Sequence, residues 1–389
     1  MTMKGKYVIF APEFPPLIGG IANYSISLAK ILHKKEKLSF LLTNQPVKGK
    51  FSFKIISPHF RRRALKIDRF WIFKKGYSFI YTVRIKVFLL FQILKMLNRP
   101  NDKIIITTLF INLSVLIIRM CNLLTIEYIV VLHGLDLIEW KNKNKRGLKR
   151  IIDGAQFLIV NSLFTQKLLH SMYPGKTCKI IHPFLDTLKL QNIDLHPETL
   201  LRQKLNLKSS DRIIISICRL VKRKGIDISI KAVIRFMSVH PDWVYLIAGE
   251  GEEYDFLKSL VPLNFYNRIV FLGKIDEVDK YSLLQCSDVF IMPNHSLNNK
   301  DIEGFGISFI EAAFFNNVVI GGASGGAQEA ISEKNGFLVD HQTDPVGFIV
   351  TILNYLVDDE TMLKKMKAEG KKFVEDNFSI ISGSKLVDI

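Results

Sequence analysis

The stretch Glu303-Gly304-Phe305-Gly306-Ile307-Ser308-Phe309-Ile310-Glu311 turns on two glycines and then takes up a helical pattern. Val289–Met292 lies ahead of it and Val318–Gly321 behind it, both short apolar runs. Strand, glycine-rich turn, helix and strand in that order form the repeating unit of a parallel sheet buried on both faces. The two glutamates stand eight residues apart. The first falls in the turn, and the second lies one to two turns into the helix, where it faces the same side. Between them the amides of Gly306, Ile307 and Ser308 are first-turn donors with no intrahelical acceptor, suited to phosphate oxygens. A carboxylate beside a phosphate is unfavourable unless it holds neutral donors such as sugar hydroxyls. The pattern therefore reads as a grip on a nucleotide-sugar, with two solvated glutamates as the bland alternative.

The same alternation extends in both directions. Strand runs are expected at Tyr7–Ala11, Leu38–Thr43, Ile104–Thr108, Tyr128–Leu132, Phe157–Asn161 and Lys179–His182. A second series follows at Arg212–Cys218, Trp243–Ala248, Ile269–Leu272, Val289–Met292, Val318–Gly321 and Gly336–Val339. Helical segments such as Ile226–Met237, Ile307–Phe315 and Pro345–Val357 supply the crossovers. The fold class expected is α/β, with two doubly wound, Rossmann-like parallel-sheet domains facing across a cleft. The polar, helix-poor Asp186–Pro197 marks the boundary. It divides the 389 residues into a first domain, 1–185, and a second, 186–372, followed by a C-terminal segment 373–389. Such sheets bind ligands beyond the carboxyl ends of their strands, at the switch point in strand order.

Three further strand ends carry chemistry. Gly19-Gly20 follows the first strand and precedes a helix, which permits close backbone approach to a ligand, or simply a tight turn. His133-Gly134 ends the strand Tyr128–Leu132. Arg219-Leu220-Val221-Lys222-Arg223-Lys224-Gly225 puts four cations at the start of a helix, where the dipole favours anions. A bound anion would justify them, since arginine offers a fork for phosphate and lysine a point charge. Gly249 sits in another glycine-rich edge, Ala248-Gly249-Glu250-Gly251. The GxGxxG dinucleotide pattern opens neither domain.

In these residues and their order the chain resembles the GT-B glycosyltransferases, specifically the retaining enzymes of glycosyltransferase family 4 (group 1). Gly19-Gly20 matches that family's N-terminal glycine loop and His133-Gly134 its active-site histidine segment. Arg219 with Lys224 matches the basic pair, and Glu303 with Glu311 the spaced glutamates. Gly321–Glu329 and Gly336–Val339 match late donor-domain segments. The resemblance implies that Arg219 and Lys224 neutralise the departing diphosphate, and that Glu311 holds the ribose. It implies that Glu303 holds the transferred sugar and that His133 lines the sugar pocket. It also implies that domain 1–185 binds the acceptor, that domain 186–372 binds the nucleotide-sugar, and that the C-terminal helix 373–389 crosses back to the first domain. Gly19, Gly20, Gly249, Gly304, Phe305, Gly306 and Ile307 would line the donor. Retaining members of this fold are thought to use front-face attack, in which a donor phosphate oxygen helps deprotonate the acceptor. No protein nucleophile and no metal is then expected, and no cofactor beyond the nucleotide-sugar substrate.

Charge indicates the rest. Of the formal net charge of +18, residues 1–185 carry +23 and residues 186–389 carry −5. His59–Gly76 holds seven cations and one acid, interleaved with Phe60, Phe70, Trp71 and Phe73, and an amphipathic stretch follows to Leu97. Cations beside aromatics suit an anionic membrane surface, so 59–97 is expected to bind one. A nucleic-acid partner is not expected, because no other signature of one is present. The longest apolar run, Ile104–Ile118, is shorter than the roughly 20 residues a membrane span needs, and no secretory signal opens the chain. Four separated cysteines without a CxxC pair fit a reducing compartment. The expected protein is a cytoplasmic, peripheral membrane glycosyltransferase. It would move a sugar to a lipid-linked or membrane-held glycan in the assembly of lipopolysaccharide, O-antigen or capsule. The alternatives are a soluble transferase acting on a small sugar, and a non-catalytic anion or nucleic-acid binder.

Overall fold

A computed structural model describes residues 6–13, 19–47, 50–56, 102–109, 112–297 and 302–386. The membrane-binding expectation on 59–97 lies outside them. Two compact units divide the chain, Met1–Phe184 with Gly383–Ile389, and Leu185–Ser382.

The first unit contains β1 (Tyr7–Ala11), β2 (Leu38–Val47), β3 (Lys50–Ile56), β4 (Lys103–Ile106), β5 (Tyr128–Leu132), β6 (Phe157–Val160) and β7 (Cys178–Ile180). They form one sheet in the order β3-β2-β1-β4-β5-β6-β7. All neighbours run parallel except β2 and β3, which pair antiparallel from Val47↔Lys50 to Leu41↔Ile56. The sequence reading stopped β2 at Thr43 and had no β3. An edge hairpin needs no long apolar run, so Lys-Phe-Ser-Phe-Lys-Ile-Ile at 50–56 lacks the signal carried by the doubly buried strands. Helices α1 (Gly20–Lys34), α2 (Asn112–Leu123), α3 (Leu135–Gly154) and α4 (Leu163–Met172) cover the sheet. α1 buries Ala22, Tyr24, Leu28, Ile31 and Leu32 along one stripe.

The second unit has six parallel strands, β8 (Arg212–Ile217), β9 (Trp243–Ala248), β10 (Ile269–Gly273), β11 (Val289–Met292), β12 (Val318–Gly322) and β13 (Gly336–Val339). Their order is β10-β9-β8-β11-β12-β13. Strand order therefore reverses between β8 and β11 here, and between β1 and β4 in the first unit. Both switch points have the doubly wound form in which ligands sit at strand carboxyl ends. The helices are α5 (Thr187–Gln191), α6 (Glu198–Lys204), α7 (Ile226–Met237), α8 (Tyr254–Ser259), α9 (Glu277–Cys286), α10 (Ile307–Phe314), α11 (Ala327–Ala330), α12 (Pro345–Asp358) and α13 (Glu360–Phe378). Eleven of the twelve expected strands, and α7, α10 and α12, fall within two residues of the sequence reading.

The return to the first unit comes at Gly383 rather than near residue 373. Leu363, Met366, Val374 and Phe378 of α13 are buried in the core of the second unit, which keeps that helix there. The Leu185 amide donates to Phe378 O at 2.6 Å and the Ile380 amide to Leu185 O at 2.8 Å, tying the exit of α13 to the entry of the unit. α14 (Ile380–Leu386) then crosses the boundary, and Gly383 leaves room for the Phe184 ring.

Candidate active site

In the second unit the basic turn after β8 folds as a 3-10 turn, Lys222–Lys224, closed by Gly225 in the left-handed region (φ 68°). A Cβ on Gly225 would stand 2.1 Å from Pro293 O, so the end of β11 fixes the turn's position. That places Lys224 and Arg223 over Glu303. Lys224 Nζ donates to Glu303 Oε2 at 2.7 Å and Arg223 Nη1 to the same oxygen at 2.5 Å. Burial alone would raise the Glu303 carboxyl; the charges of Lys224 and then Arg223, with their hydrogen bonds, outweigh it and hold the group down at about 2. Lys224 and Arg223 are themselves 8% and 9% exposed. The triad is a buried, ionised cluster at a strand end, where the sequence placed a phosphate site.

Arg223, to which the sequence reading gave no separate role, joins Lys224 on Glu303, whereas Arg219, expected to neutralise the diphosphate, does not. Arg219 is exposed and makes no ion pair among the described residues. Both lie in one basic turn, and which of them folds inward depends on the Gly225–Pro293 contact, which no local pattern encodes. Arg219 stands free for an incoming anion, while Lys224 and Arg223 are already neutralised.

α10 begins at Gly306, again left-handed (φ 83°) and with no side-chain cap. The amides of Gly306, Ile307 and Ser308 donate to no acceptor among the described residues, and the next amide, Phe309, turns back to Gly306 O at 3.0 Å. These three donors are the ones the sequence anticipated. Two glycines of the GGASGGAQE segment hold the loop that carries Glu303. The Gly326 amide donates to Glu303 O at 2.9 Å. A Cβ on Gly325 would meet Glu303 O at 2.2 Å, and one on Gly326 would meet Gly304 O at 2.0 Å.

Glu311 is buried on α10, with Oε1 accepting from Lys280 Nζ at 2.6 Å and Tyr281 OH at 3.1 Å. One oxygen is thus pinned by α9, which leaves Oε2 to accept from a ligand hydroxyl. Nothing in the sequence marked Lys280 or Tyr281. Phe305 is 2% exposed and packs edge-on to Phe378 at 5.4 Å, so its side chain serves the core and only its backbone faces the loop. Gly249 is also structural. Its amide is taken by Gly273 O at 2.8 Å, and a Cβ there would stand 1.8 Å from Cys218 O.

In the first unit His133 lies at the end of β5, 8% exposed. Its Nε2 donates to Thr107 O at 2.8 Å, which fixes the tautomer and leaves Nδ1 as an acceptor. Burial lowers its pKa to about 4, so the ring is neutral at physiological pH. Thr107 is wired to the helix after the glycine loop: Ser25 Oγ donates to Thr107 Oγ1 at 2.9 Å. Tyr24 stands edge-on to His133 at 5.1 Å. Gly19 precedes α1 with open space where a Cβ would go, and Gly20 is exposed. Asp136 takes the His133 and Leu137 amides on Oδ1 at 3.0 and 2.9 Å. Its Oδ2 is buried without a partner, and burial pushes its pKa up to about 7. Thr107, Ser25 and Tyr24 escaped the sequence reading, because a lone polar residue, whether past a strand end or on a helix, has no spacing signature.

Among the described residues no three His, Cys, Asp or Glu side chains come together as a metal-binding group.

These two doubly wound units define the GT-B class of glycosyltransferase fold. HepE of Anabaena, solved with UDP and glucose, superposes with a TM-score of 0.68 at 17% identity over 98% of both chains. WaaG, a glycosyltransferase involved in lipopolysaccharide biosynthesis, does so at 0.62 and 13% identity, also over 98% of both. Residues 197–373 match the family of glycosyl transferases group 1. Among curated relatives, the GDP-mannose-dependent monoacylated alpha-(1-6)-phosphatidylinositol monomannoside mannosyltransferase of Corynebacterium glutamicum is 33% identical over 190 residues. That match spans 48% of this chain and 49% of the relative, about half the length of each.

Proposed function

We propose that the protein is a retaining, nucleotide-sugar-dependent glycosyltransferase acting on a lipid-linked or membrane-held glycan in surface polysaccharide assembly. The observation that carries this reading is the buried Glu303–Lys224–Arg223 cluster beside the three free amides that open α10. An incoming diphosphate takes the amides of Gly306, Ile307 and Ser308 together with Arg219 and Lys224. As negative charge develops on the leaving phosphate, those preorganised donors stabilise it. Lys224 then shares its charge with phosphate, and Glu303, still ionised, accepts from the sugar's hydroxyls. Glu311 Oε2 takes the ribose. In the first unit neutral His133 offers Nδ1 to a sugar hydroxyl, its ring fixed by Thr107. The cations of the basic turn do the work that a metal would otherwise do.

The mannosyltransferase relative supports a GDP-sugar donor and a lipid-borne acceptor, whereas the UDP-bound neighbour supports a UDP-sugar. Among the described residues no helix is long and apolar enough to cross a membrane, so a membrane-held acceptor would be met at the surface. The test is nucleotide release from a panel of UDP-, GDP- and ADP-sugars, with native membrane extract as the acceptor source. Release from one donor, dependent on extract, unaffected by EDTA and lost in Glu303→Gln and Lys224→Ala, is the expected result. Release that both variants retain would overturn the assignment of the site.

A further inference from the structure

A second pocket of about 350 Å³ opens in the first unit between α2 and α3. Arg119, Arg146 and Arg150 line it, with Asn122, Asn144 and the Trp140 ring. Three aliphatic side chains complete the wall, and no acidic residue lines it.

The pocket is built by a break in α3. Asn144 leaves the helical region (φ −158°, ψ 76°), and its Oδ1 accepts from the Gly147 amide at 2.8 Å. The chain restarts there as a capped helix of 10 residues to Gly154, and its positive dipole end lies beside Arg146. A Cβ on Gly147 would stand 2.6 Å from Asn144 Nδ2, so a larger residue there would displace the capping side chain. Trp140 is anchored by its Nε1 donating to Leu109 O at 2.9 Å.

Charge around the pocket is unopposed. The two acids that flank it on α3 are already satisfied: Glu139 by Lys143, and Asp153 by Lys149 and Lys176. None of the three arginines makes an ion pair among the described residues. Three guanidinium forks, a helix N-terminus and amide side chains are the donors a phosphate takes, and arginine binds it through paired N–H groups. The indole and aliphatic wall adds an apolar contact.

The arginine end of the pocket is set back from the transfer chemistry, whereas Trp140, tied to Leu109 two residues past Thr107, forms the end nearer to it. His133 lies at the carboxyl end of β5, whereas the C-terminal half of α3 packs at that strand's start, where Tyr128 OH donates to Ile151 O at 3.2 Å. The two places are roughly 15–20 Å apart along the helix.

We propose that this pocket binds a phosphate group carrying an apolar body, at a site separate from the sugar-transfer site. The phosphate belongs either to a phospholipid headgroup or to a soluble phosphate ester. The proposal does not depend on the donor or acceptor of the transferase.

Two probes test it with the full chain: inorganic phosphate by calorimetry, and phosphatidylglycerol vesicles against phosphatidylcholine vesicles by co-sedimentation. The variants are Arg119→Ala/Arg150→Ala and the matched charge control Lys141→Ala/Lys145→Ala on α3. The arginine pair is expected to lose at least tenfold in affinity for whichever probe binds, while the lysine control loses less than twofold. Binding of vesicles alone identifies a lipid headgroup, and binding of phosphate identifies a pocket open to soluble esters. Equal loss in the arginine and lysine pairs would show a diffuse cationic face and overturn the proposal, as would failure of both probes to bind wild type. Unchanged melting of the variants excludes misfolding, because all three arginines lie at the surface.

Discussion

Replacing Glu303 with glutamine keeps the shape of the side chain and removes its charge. In the folded protein the carboxyl is held at about 2, against 4.5 for the free group. That difference corresponds to about 3 kcal/mol of stability. A second route gives a similar figure: removing one partner of a buried ion cluster costs about 3–5 kcal/mol, because the remaining charges are left buried and unopposed. Glutamine retains one oxygen for Lys224 or Arg223, so the expected loss is about 2–3 kcal/mol. The sign against pH follows from the depressed folded value. The stabilisation is fully present above pH 4.5 and is lost as pH falls towards 2. Wild type and Glu303→Gln should therefore differ most near neutrality and converge in acid. Urea unfolding of the second unit, followed through Trp243 in a Trp71→Phe/Trp140→Phe background, measures this at pH 7 and pH 3. The same variant releases Lys224 and Arg223 to an anion. Nucleoside diphosphate should bind it more tightly than wild type while sugar transfer falls by about 10²–10³. Parallel stability curves at the two pH values, or weakened diphosphate binding with transfer retained, would refute the reasoning.

Asp136→Asn tests the opposite sign. Its folded value of about 7 lies above the ordinary 3.8, so wild type loses up to about 4 kcal/mol of stability as pH rises between those values. The variant should gain on wild type across that window, and urea midpoints at pH 5 and 7.5 that shift equally in both proteins would sink the idea. Gly326→Ala places a Cβ 2.0 Å from Gly304 O at a backbone conformation (φ −80°) that alanine adopts freely. The strain is therefore steric, about 1–3 kcal/mol, and it displaces the loop that carries Glu303. Transfer should fall while far-ultraviolet circular dichroism stays native; full activity would show that the loop has room to move.

Local chemistry made much of this protein legible in its sequence. Doubly buried strands such as Tyr7–Ala11 and Val289–Met292 must be continuous apolar runs, and crossover helices such as Ile226–Met237 must carry a stripe, so the alternation and the α/β class could be read directly. The Gly306 turn with its free amides, the glutamate spacing and His133 at a strand end were legible for the same reason. Each is a short-range pattern dictated by backbone geometry or by a strand's end. Tertiary structure decided what depends on distant contacts. Pro293 O against Gly225 turns Arg223, and not Arg219, onto Glu303. Lys280 and Tyr281 reach Glu311 across α9, and Thr107 reaches His133 from a neighbouring strand. Gly249 and Phe305, which looked like ligand contacts, are held by Cys218 and Phe378 from far along the chain. The Asn144 break that opens the arginine pocket sits within a run otherwise reading as ordinary surface helix. A hydrogen bond or ion pair between residues tens of positions apart leaves no periodicity behind, so only the folded chain shows which partners meet.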